Sequence, residues 1–348
     1  MDSADLLADP LLALCRDAAH IATARMRHWR QELSAADVEA KGDRNNLVTA
    51  ADAEIEALVR WYLASRRPGD AMIGEENAAA LSVTEVAGGE QIAAGLGVPP
   101  AAGAAAGDQP LDWHVDPIDG TVNFVRGIED YAFSIGVRIP DPGDPDAADP
   151  DTWLAGLVAA PELGKVFLAR RGQGAWMFEG QVSDLQPVTD DSGGLSAPEV
   201  ALTRLQGRNP GQRGRLVATG FGYARAQRDE QFAVLPEVME GFDDMRRAGS
   251  AAIDLCQAAA GRVDVYYERR LGLYDYAAGA LIVEEAGLHV RRPSHHHGTG
   301  DGSDLCIAAG SLEDVERIEA IHRQQRTGQP REPVRPHRRT PRLEYREQ

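Results

Sequence analysis

The sequence predicts an α+β fold with two unlike halves. Its 348 residues exceed what one small core needs, so we expect a large single unit or two fused layered halves. The first half contains helical segments followed by short apolar stretches with tight turns, which indicate an antiparallel meander. After Asp190, short strands alternate with helices, as is typical of α/β structure.

Composition is that of a globular protein, with 43% hydrophobic and 26% charged residues. No apolar stretch reaches the length of a membrane span, and the N-terminus lacks the basic region of a secretory signal. A formal net charge of −18 argues against general nucleic-acid binding. The three cysteines, Cys15, Cys256 and Cys306, are widely spaced, which favours reduced thiols in the cytoplasm.

The N-terminal half, 1–190, is predicted to begin with two helices. Apolar residues at helical spacing predict the first over 4–33, and the second follows Thr49 and ends before Pro68. The strands predicted in this half are 71–74, 113–115, 131–139, 153–160, 165–170 and 175–178. Two inserts are predicted as surface loops, the Ala-, Gly- and Pro-rich segment 78–110 and the acidic segment 140–152.

The C-terminal half, 191–322, carries the α/β pattern, and a basic tail follows it. The predicted strands are 199–202, 215–219 and 304–309, and the predicted helices are 230–240, 250–260, 274–286 and 312–322. Residues 323–348 contain eight arginines, three glutamates and few apolar residues, which predicts disorder. Binding of an acidic partner is the alternative role for this tail.

The segment WHVDPIDGTVNF, residues 113–124, is the strongest chemical signal in the chain. A predicted strand leads to Asp116 and ends there, and Pro117 stiffens the turn that brings Asp119 back toward the same space. Two converging carboxylates need a cation, and oxygen ligands suit a hard metal such as Mg²⁺. A turn or helix starting at Gly120 and Thr121 offers free amides that hold phosphate. The combination predicts phosphoryl chemistry.

These residues resemble the first signature of the inositol monophosphatase family, and four other segments resemble further segments of that family. The others are GEEN at 74–77, LVATGFGY at 216–223, RRAGSAAIDL at 246–255 and YDYAAGALIVEEAG at 274–287. The resemblance runs from about Ala4 to His322 and leaves out both inserts and the tail. It implies a layered α/β/α/β/α sandwich of the inositol monophosphatase and fructose-1,6-bisphosphatase type, which usually forms homodimers.

The resemblance also implies two or three Mg²⁺ ions per active site. Glu75, Asp116 and the Ile118 carbonyl would bind one cation. Asp116, Asp119 and Asp275 would bind a second. Two such cations stabilise both the attacking and the leaving oxygen of an in-line displacement.

Further roles follow from the same resemblance. Thr121, hydrogen-bonded to Asp52, would activate the attacking water, with Glu75 as a further catalytic residue. The remaining implied substrate-binding positions are Gly120, Thr121, Asp119, Gly249, Ser250, Ala251 and Glu268. Lys41 would lie in a flap loop over the site.

Several of these residues also have purely structural interpretations. Asp52 and Asp275 would each favour the positive end of a helix, and Glu268 would be an ordinary charge at a strand end. Glu76 either borders a weaker third metal site or is a solvated neighbour of Glu75. The run His295–His297 suits zinc, copper or nickel more than magnesium, and its polar loop favours simple exposure.

The resulting prediction is a cytoplasmic, lithium-sensitive phosphomonoesterase that hydrolyses inositol 1-phosphate or a related polyol phosphate. The departures from the family pattern, which are the 78–110 insert, Tyr274 in place of the common tryptophan, and Ser250 where Thr or Ser occurs, remove no ligand. The alternatives within the superfamily are histidinol-phosphate phosphatase, fructose-1,6-bisphosphatase and nucleotide 3′-phosphatase. A binding protein acting through the arginine-rich tail is the alternative from a different class.

Overall fold

The structure is a computed structural model. It describes residues 3–32, 38–40, 47–75, 91–92, 95, 109–141, 149–189, 195–196, 198–209, 211–293 and 306–327. None of the helices in these ranges combines the length and the apolar character of a membrane span.

The chain begins with a short helix, α1 (Ser3–Leu7), and a long one, α2 (Pro10–Glu32). The prediction of one helix over 4–33 is therefore wrong at residues 8 and 9. The side chain of Asp9 accepts hydrogen bonds from the amides of Leu11 and Leu12, at 2.9 and 3.2 Å, and so caps a new helix whose first residue is proline. Helix α3 (Ala50–Arg66) ends before Pro68, as predicted.

The first large sheet has seven strands in the order β11-β8-β7-β6-β5-β4-β3. Its members are β3 (Ala71–Gly74), β4 (Asp112–Asp119), β5 (Ala132–Arg138), β6 (Trp153–Ala160), β7 (Lys165–Arg170), β8 (Gly174–Glu179) and β11 (Thr203–Arg204). All neighbours are antiparallel except β3 and β4. Two-stranded pairs accompany it, β1 (Val38–Ala40) with β2 (Leu47–Thr49) and β9 (Val188–Thr189) with β10 (Leu195–Ser196).

The second sheet has five strands in the order β13-β12-β14-β16-β15. Its members are β12 (Leu216–Thr219), β13 (Asp244–Arg246), β14 (Val265–Arg269), β15 (His289–Arg291) and β16 (Cys306–Gly310). The remaining helices are α4 (Thr121–Arg126), α5 (Arg225–Met239), α6 (Ala251–Ala259), α7 (Leu273–Glu285) and α8 (Leu312–Thr327). Helix α8 extends five residues into the segment that the sequence assigned to the tail.

Three buried apolar clusters separate five layers. One lies between α2, α3 and the first sheet, a second between the two sheets around α6 and α7, and a third between the second sheet and helices α5 and α8. The layers therefore run helix, sheet, helix, sheet, helix, which confirms the predicted α/β/α/β/α sandwich.

Helix α7 lies against the first sheet at two glycines. A Cβ atom added to Gly136 of β5 would meet Ala277 Cβ at 2.9 Å, and one added to Gly156 of β6 would meet Ala278 Cα at 3.0 Å. The absence of two side chains thus lets the helix approach the strands closely. This contact fixes the position of α7 relative to the strand that precedes α4.

Candidate active site

A cavity of about 500 Å³ opens between residues of the first sheet and residues of the second. Residues from β4 and the start of α4 form one wall, and residues near the ends of β12, β13 and β14 form the others. The predicted site residues that line it are Glu75, Asp116, Ile118, Asp119, Gly120, Thr121, Gly249, Ala251, Glu268 and Asp275. Ser250 and Asp52 are buried just behind this surface.

Strand β4 brings Asp116 and Asp119 to the cavity. The prediction that this strand ends at Asp116 is wrong, because it continues through Pro117 to Asp119 with a register shift between the two aspartates. Proline donates no ladder hydrogen bond and is tolerated at such an irregularity. The Ile118 amide donates to Asp116 Oδ1 at 3.1 Å, which holds this carboxylate in place.

Asp275 reaches the same point from the first turn of α7. Its Oδ2 accepts a hydrogen bond from the Gly272 amide at 2.6 Å, so the carboxylate also caps the helix. Carboxylate oxygens of Asp116, Asp119 and Asp275 all lie within 4.8 Å of one another. The structure therefore brings Asp275 to Asp116 and Asp119, although more than 150 positions separate it from them in the sequence.

The electrostatics of these carboxylates fit a bound cation. Burial raises the pKa of Asp116 well above its ordinary value, with further contributions from the charges of Glu75 and Asp119. Burial likewise raises the pKa of Asp275, and it raises that of Asp119 to about 6. Gathered, desolvated anions are unfavourable without a counter-charge, and oxygen donors suit a hard divalent ion.

Glu75 and Asp52 lie close to this group without joining the three-residue cluster. Glu75 lines the cavity, and its charge contributes to the raised pKa values of Asp116 and Asp275. Asp52 is 1% exposed and also contributes to the raised pKa of Asp116. Both carboxylates therefore add to the negative potential at the cluster.

Ser250 anchors Asp119 from the second half. The Ser250 hydroxyl donates to Asp119 Oδ2 at 2.6 Å, and the Ala252 amide donates to the same oxygen at 2.7 Å. Ser250 Oγ also accepts from the Ile253 amide at 3.2 Å and so caps α6. These hydrogen bonds counteract the effect of burial on the pKa of Asp119.

Gly120 adopts a left-handed conformation, with φ +92°, between β4 and α4. A Cβ atom there would lie 2.9 Å from the Asp130 carbonyl oxygen, so the position requires glycine. The Thr121 hydroxyl donates to the Ile118 carbonyl at 3.0 Å. Since this hydroxyl donates to Ile118, the hydrogen bond from Thr121 to Asp52 stays a prediction.

Glu268 closes another side of the cavity. Its Oε2 accepts a hydrogen bond from the Tyr266 hydroxyl at 2.8 Å. Burial raises the pKa of Glu268 to about 7, while the Tyr266 hydrogen bond and the charge of Arg247 act in the opposite direction. The carboxylate is thus oriented toward the cavity as a hydrogen-bonding group.

Three arginines that belong to no predicted site also line the cavity: Arg247, Arg269 and Arg270. The available signal was their position, because one arginine doublet precedes Gly249 and another follows Glu268. Phe221, Tyr223 and Tyr274 add aromatic surface to the same lining.

Some predicted features lie outside the described residues. These are Lys41, Glu76, the His295–His297 run, most of the 78–110 insert, residues 142–148 and the tail from residue 328. The strand predicted at 199–202 is wrong, because the short strand β11 lies at Thr203–Arg204, where it pairs with β8.

Comparison with known proteins gives a consistent picture. A family model described as "Inositol monophosphatase family" matches residues 7–326. The "Inositol-1-monophosphatase SuhB" of Mycobacterium tuberculosis is 35% identical over 286 residues, covering 82% of this chain and 81% of that protein.

A second relative, the "Nus factor SuhB" of Vibrio cholerae, is 33% identical over 248 residues, covering 71% of this chain and 72% of that protein. Among solved structures, Mycobacterium tuberculosis SuhB superposes with a TM-score of 0.60 at 30% identity, covering 90% of this chain and 96% of that one.

Proposed function

The chain belongs to the inositol monophosphatase family, and we propose that it is a Mg²⁺-dependent phosphomonoesterase acting on inositol 1-phosphate or a related polyol phosphate. Family membership supports a phosphatase that depends on metal. The observation that carries the proposal is the convergence of Asp116, Asp119 and Asp275 within 4.8 Å in a cavity large enough for a small phosphoester.

The proposed ligand assignment follows the family resemblance, and the cluster of Asp116, Asp119 and Asp275 supports it. Asp116, Asp119 and Asp275 would hold one cation. Asp116 would share a second with Glu75 and the Ile118 carbonyl, and Glu76 would border a third. When bound, such ions polarise a phosphoryl oxygen and a water molecule.

The chain itself supplies binding and orientation. The backbone amides of Gly120 and Thr121 would bind phosphate oxygens at the start of α4. Thr121 Oγ, with its hydroxyl turned toward Asp52, would accept a hydrogen bond from the attacking water and orient it in line with the ester bond. Asp119 would help return a proton to the leaving alkoxide through water.

The remaining residues would bind the alcohol part of the substrate. Glu268, held by Tyr266, would accept hydrogen bonds from substrate hydroxyls. Gly249, Ser250 and Ala251 would form the adjoining wall, where Ser250 also fixes Asp119. Lys41 would act from the flap loop.

A phosphate-release assay with purified protein tests the proposal. The four esters are inositol 1-phosphate, histidinol phosphate, fructose 1,6-bisphosphate and a nucleoside 3′-phosphate, each with Mg²⁺ and with chelator. We expect Mg²⁺-dependent release, with inositol 1-phosphate preferred over histidinol phosphate and the nucleotide, and inhibition by millimolar Li⁺. Preference for another ester would reassign the substrate, and no release from any ester would refute the phosphatase assignment.

The second candidate is a binding function, which the name "Nus factor SuhB" of the Vibrio cholerae relative brings into consideration. A pull-down with and without residues 323–348, at low and moderate salt, measures whether the basic tail captures an acidic partner. Capture that requires the tail, combined with no phosphatase activity, would favour this alternative.

Two further properties complete the proposal. We expect a cytoplasmic protein, consistent with the free, buried thiols of Cys15 and Cys256. We also expect a homodimer, which light scattering after gel filtration measures directly. A single monomeric species at micromolar concentration would contradict the dimer.

A further inference from the structure

The cavity lining carries positively charged residues as well as carboxylates. Arg247, Arg269 and Arg270 all belong to the lining that also includes Glu268 and the three aspartates, and Arg269 is the buried member of the three. A substrate whose phosphate occupies the acidic end with its cations would therefore present its other end to arginines. Guanidinium groups recognise phosphate and carboxylate oxygens through paired hydrogen bonds.

Arg247 is the clearest member of this group. It is exposed to the cavity, and it makes no hydrogen bond or ion pair with the part of the chain that the structure describes. Its Nη1 lies 2.6 Å from where a Cβ on Gly249 would be, so the guanidinium rests on the glycine beside Ser250. Its charge also lowers the pKa of Glu268, which places it near the proposed alcohol-binding side.

Arg270 holds an unusual backbone conformation. Its φ is +68°, and it is the only non-glycine residue with a positive φ in the part of the chain that the structure describes. Left-handed backbone is unfavourable for residues with a Cβ and concentrates at functional sites. An arginine therefore lies in the cavity lining at a position where glycine would be less strained.

Glu230 of α5 occupies the outer side of this arginine pair. It lies 3.0 Å from Arg270 and 3.8 Å from Arg269, and its side chain is 45% exposed. Exposed ion pairs are weak, so a multivalent anion would compete with Glu230 for Arg270. The pairing thus holds Arg270 in position at the cavity rim without blocking it.

We propose that Arg247, Arg269 and Arg270 form a subsite for a second anionic group of the substrate. The preferred substrate is then a phosphomonoester that carries another phosphate or a carboxylate on the same small polyol. This inference rests on the proposed phosphatase function. The cavity volume of about 500 Å³ accommodates such a molecule, since small-ligand sites span roughly 300–1,000 Å³.

Matched substrate pairs test the subsite, because each pair differs only in the distal group. The phosphate pair is inositol 1,4-bisphosphate with inositol 1-phosphate, and the carboxylate pair is glycerate 3-phosphate with glycerol 3-phosphate. The measured quantity is the ratio of kcat/KM within each pair. We expect a ratio well above one for the wild-type protein in at least one pair, and the pair identifies the anion.

Single substitutions then show which residues produce the preference for the doubly anionic substrate. Arg247→Gln and Arg270→Gly should each lower the ratio about tenfold, the effect of losing one charge-assisted contact. Glu230→Gln should raise it, because it removes the competing carboxylate. Arg246→Gln is the matched control, since Arg246 adjoins Arg247 but is 51% exposed, pairs with Asp244 and is not part of the cavity lining. It should leave the ratio unchanged.

The outcomes separate this inference from the proposed function. Hydrolysis of the partners that carry one anionic group with ratios near one, or ratios that do not respond to the arginine variants, would overturn the subsite and leave the phosphatase in place. If no ester is hydrolysed, the proposed function fails, and calorimetric titration with the same pairs in Mg²⁺ decides the subsite. Equal affinity within both pairs would overturn it.

Discussion

The two ends of the cavity are constructed differently. At the acidic end, Asp116, Asp119 and Asp275 are fixed by strand β4, by the first turn of α7 and by backbone amides. At the basic end, Arg247 and Arg270 are exposed, lie after strand ends, and are held by at most a surface ion pair among the described residues.

On the proposed function, this difference would separate the residues that carry the chemistry from those that recognise the substrate. Fixed carboxylates suit metal ions, which tolerate little variation in ligand distance. Long, weakly restrained arginine side chains can follow an anionic group to different positions on the substrate. Substitutions at the acidic end should therefore abolish turnover, whereas those at the basic end should change which ester is preferred.

The largest effect is expected for Asp116→Asn. The amide keeps the shape of the carboxylate but removes a charge shared by both proposed cation positions, so kcat should fall by at least about a thousandfold. Circular dichroism should show a folded protein. Asp112→Asn, at the other end of β4, is the control with activity retained. Near-normal turnover by Asp116→Asn would contradict the ligand assignment.

The acidic end should also control stability in the absence of metal. The pKa of Asp119 is raised from 3.8 to about 6, so the folded state favours the protonated form. This contribution is fully present below pH 3.8 and is lost as pH rises through about 6, on the order of 2–3 kcal/mol. Chelated protein should therefore melt at lower temperature at pH 7 than at pH 5.

Added Mg²⁺ should reverse that loss at pH 7, because a bound cation stabilises the ionised carboxylates. Thermal melts with chelator, Mg²⁺ and Na⁺ at both pH values measure the effect. The Asp116→Asn protein is the matched control and should show a smaller response to Mg²⁺. A melting temperature that rises with pH in chelator would contradict the raised pKa values.

A smaller effect is expected for Ser250→Ala. Ser250 connects the start of α6 with Asp119 of β4. The variant loses the hydrogen bond to Asp119 and the cap of α6, so the free energy of unfolding should fall by about 1–2 kcal/mol. kcat/KM should fall about tenfold because Asp119 is less well positioned. Ser250→Thr keeps the hydroxyl and should retain most of both, and equal losses in the two variants would argue against the hydrogen bond.

The smallest effect is expected for the change in the free energy of unfolding caused by Arg270→Gly. Glycine adopts φ +68° without strain, so the free energy of unfolding should rise by about 1 kcal/mol, measured by urea denaturation. Gly272→Ala, at φ −72°, is the contrasting change and should bring no such gain, because the added Cβ would lie 2.5 Å from Tyr274 Cζ. A less stable Arg270→Gly protein would show that the arginine side chain has a structural role instead.

The sequence predicted the regular elements best. The predicted strands 153–160 and 165–170 match the structure, because their apolar residues and the turn between them are compatible with only one placement of the strands. Strand β4 was predicted too short, since Pro117 ordinarily ends a strand and only pairing with β5 shows the irregularity. The strand at Thr203–Arg204 was misplaced because its pairing with β8, and not its own composition, determines it.

The residues of the candidate site likewise fall into those that the sequence predicted and those that it did not. Motif resemblance identified the carboxylates, because metal chemistry requires those residue types in those segments. The arginines were missed because a doublet after Glu268 looks like an ordinary strand end. The positive φ of Arg270 is also invisible in sequence, since arginine gives no indication of left-handed backbone.

The close approach of α7 to the first sheet has a consequence for metal choice. Gly136 and Gly156 determine how far the helix carrying Asp275 stands from the strands beside Asp116. A methyl group at either glycine would displace the helix by a few tenths of an ångström. Oxygen ligands lie at about 2.0–2.1 Å from Mg²⁺ and about 2.3–2.6 Å from Ca²⁺, a difference of similar size. On the proposed ligand assignment, Gly136 and Gly156 would therefore influence which of these two ions fits the site, although neither residue would touch the ion.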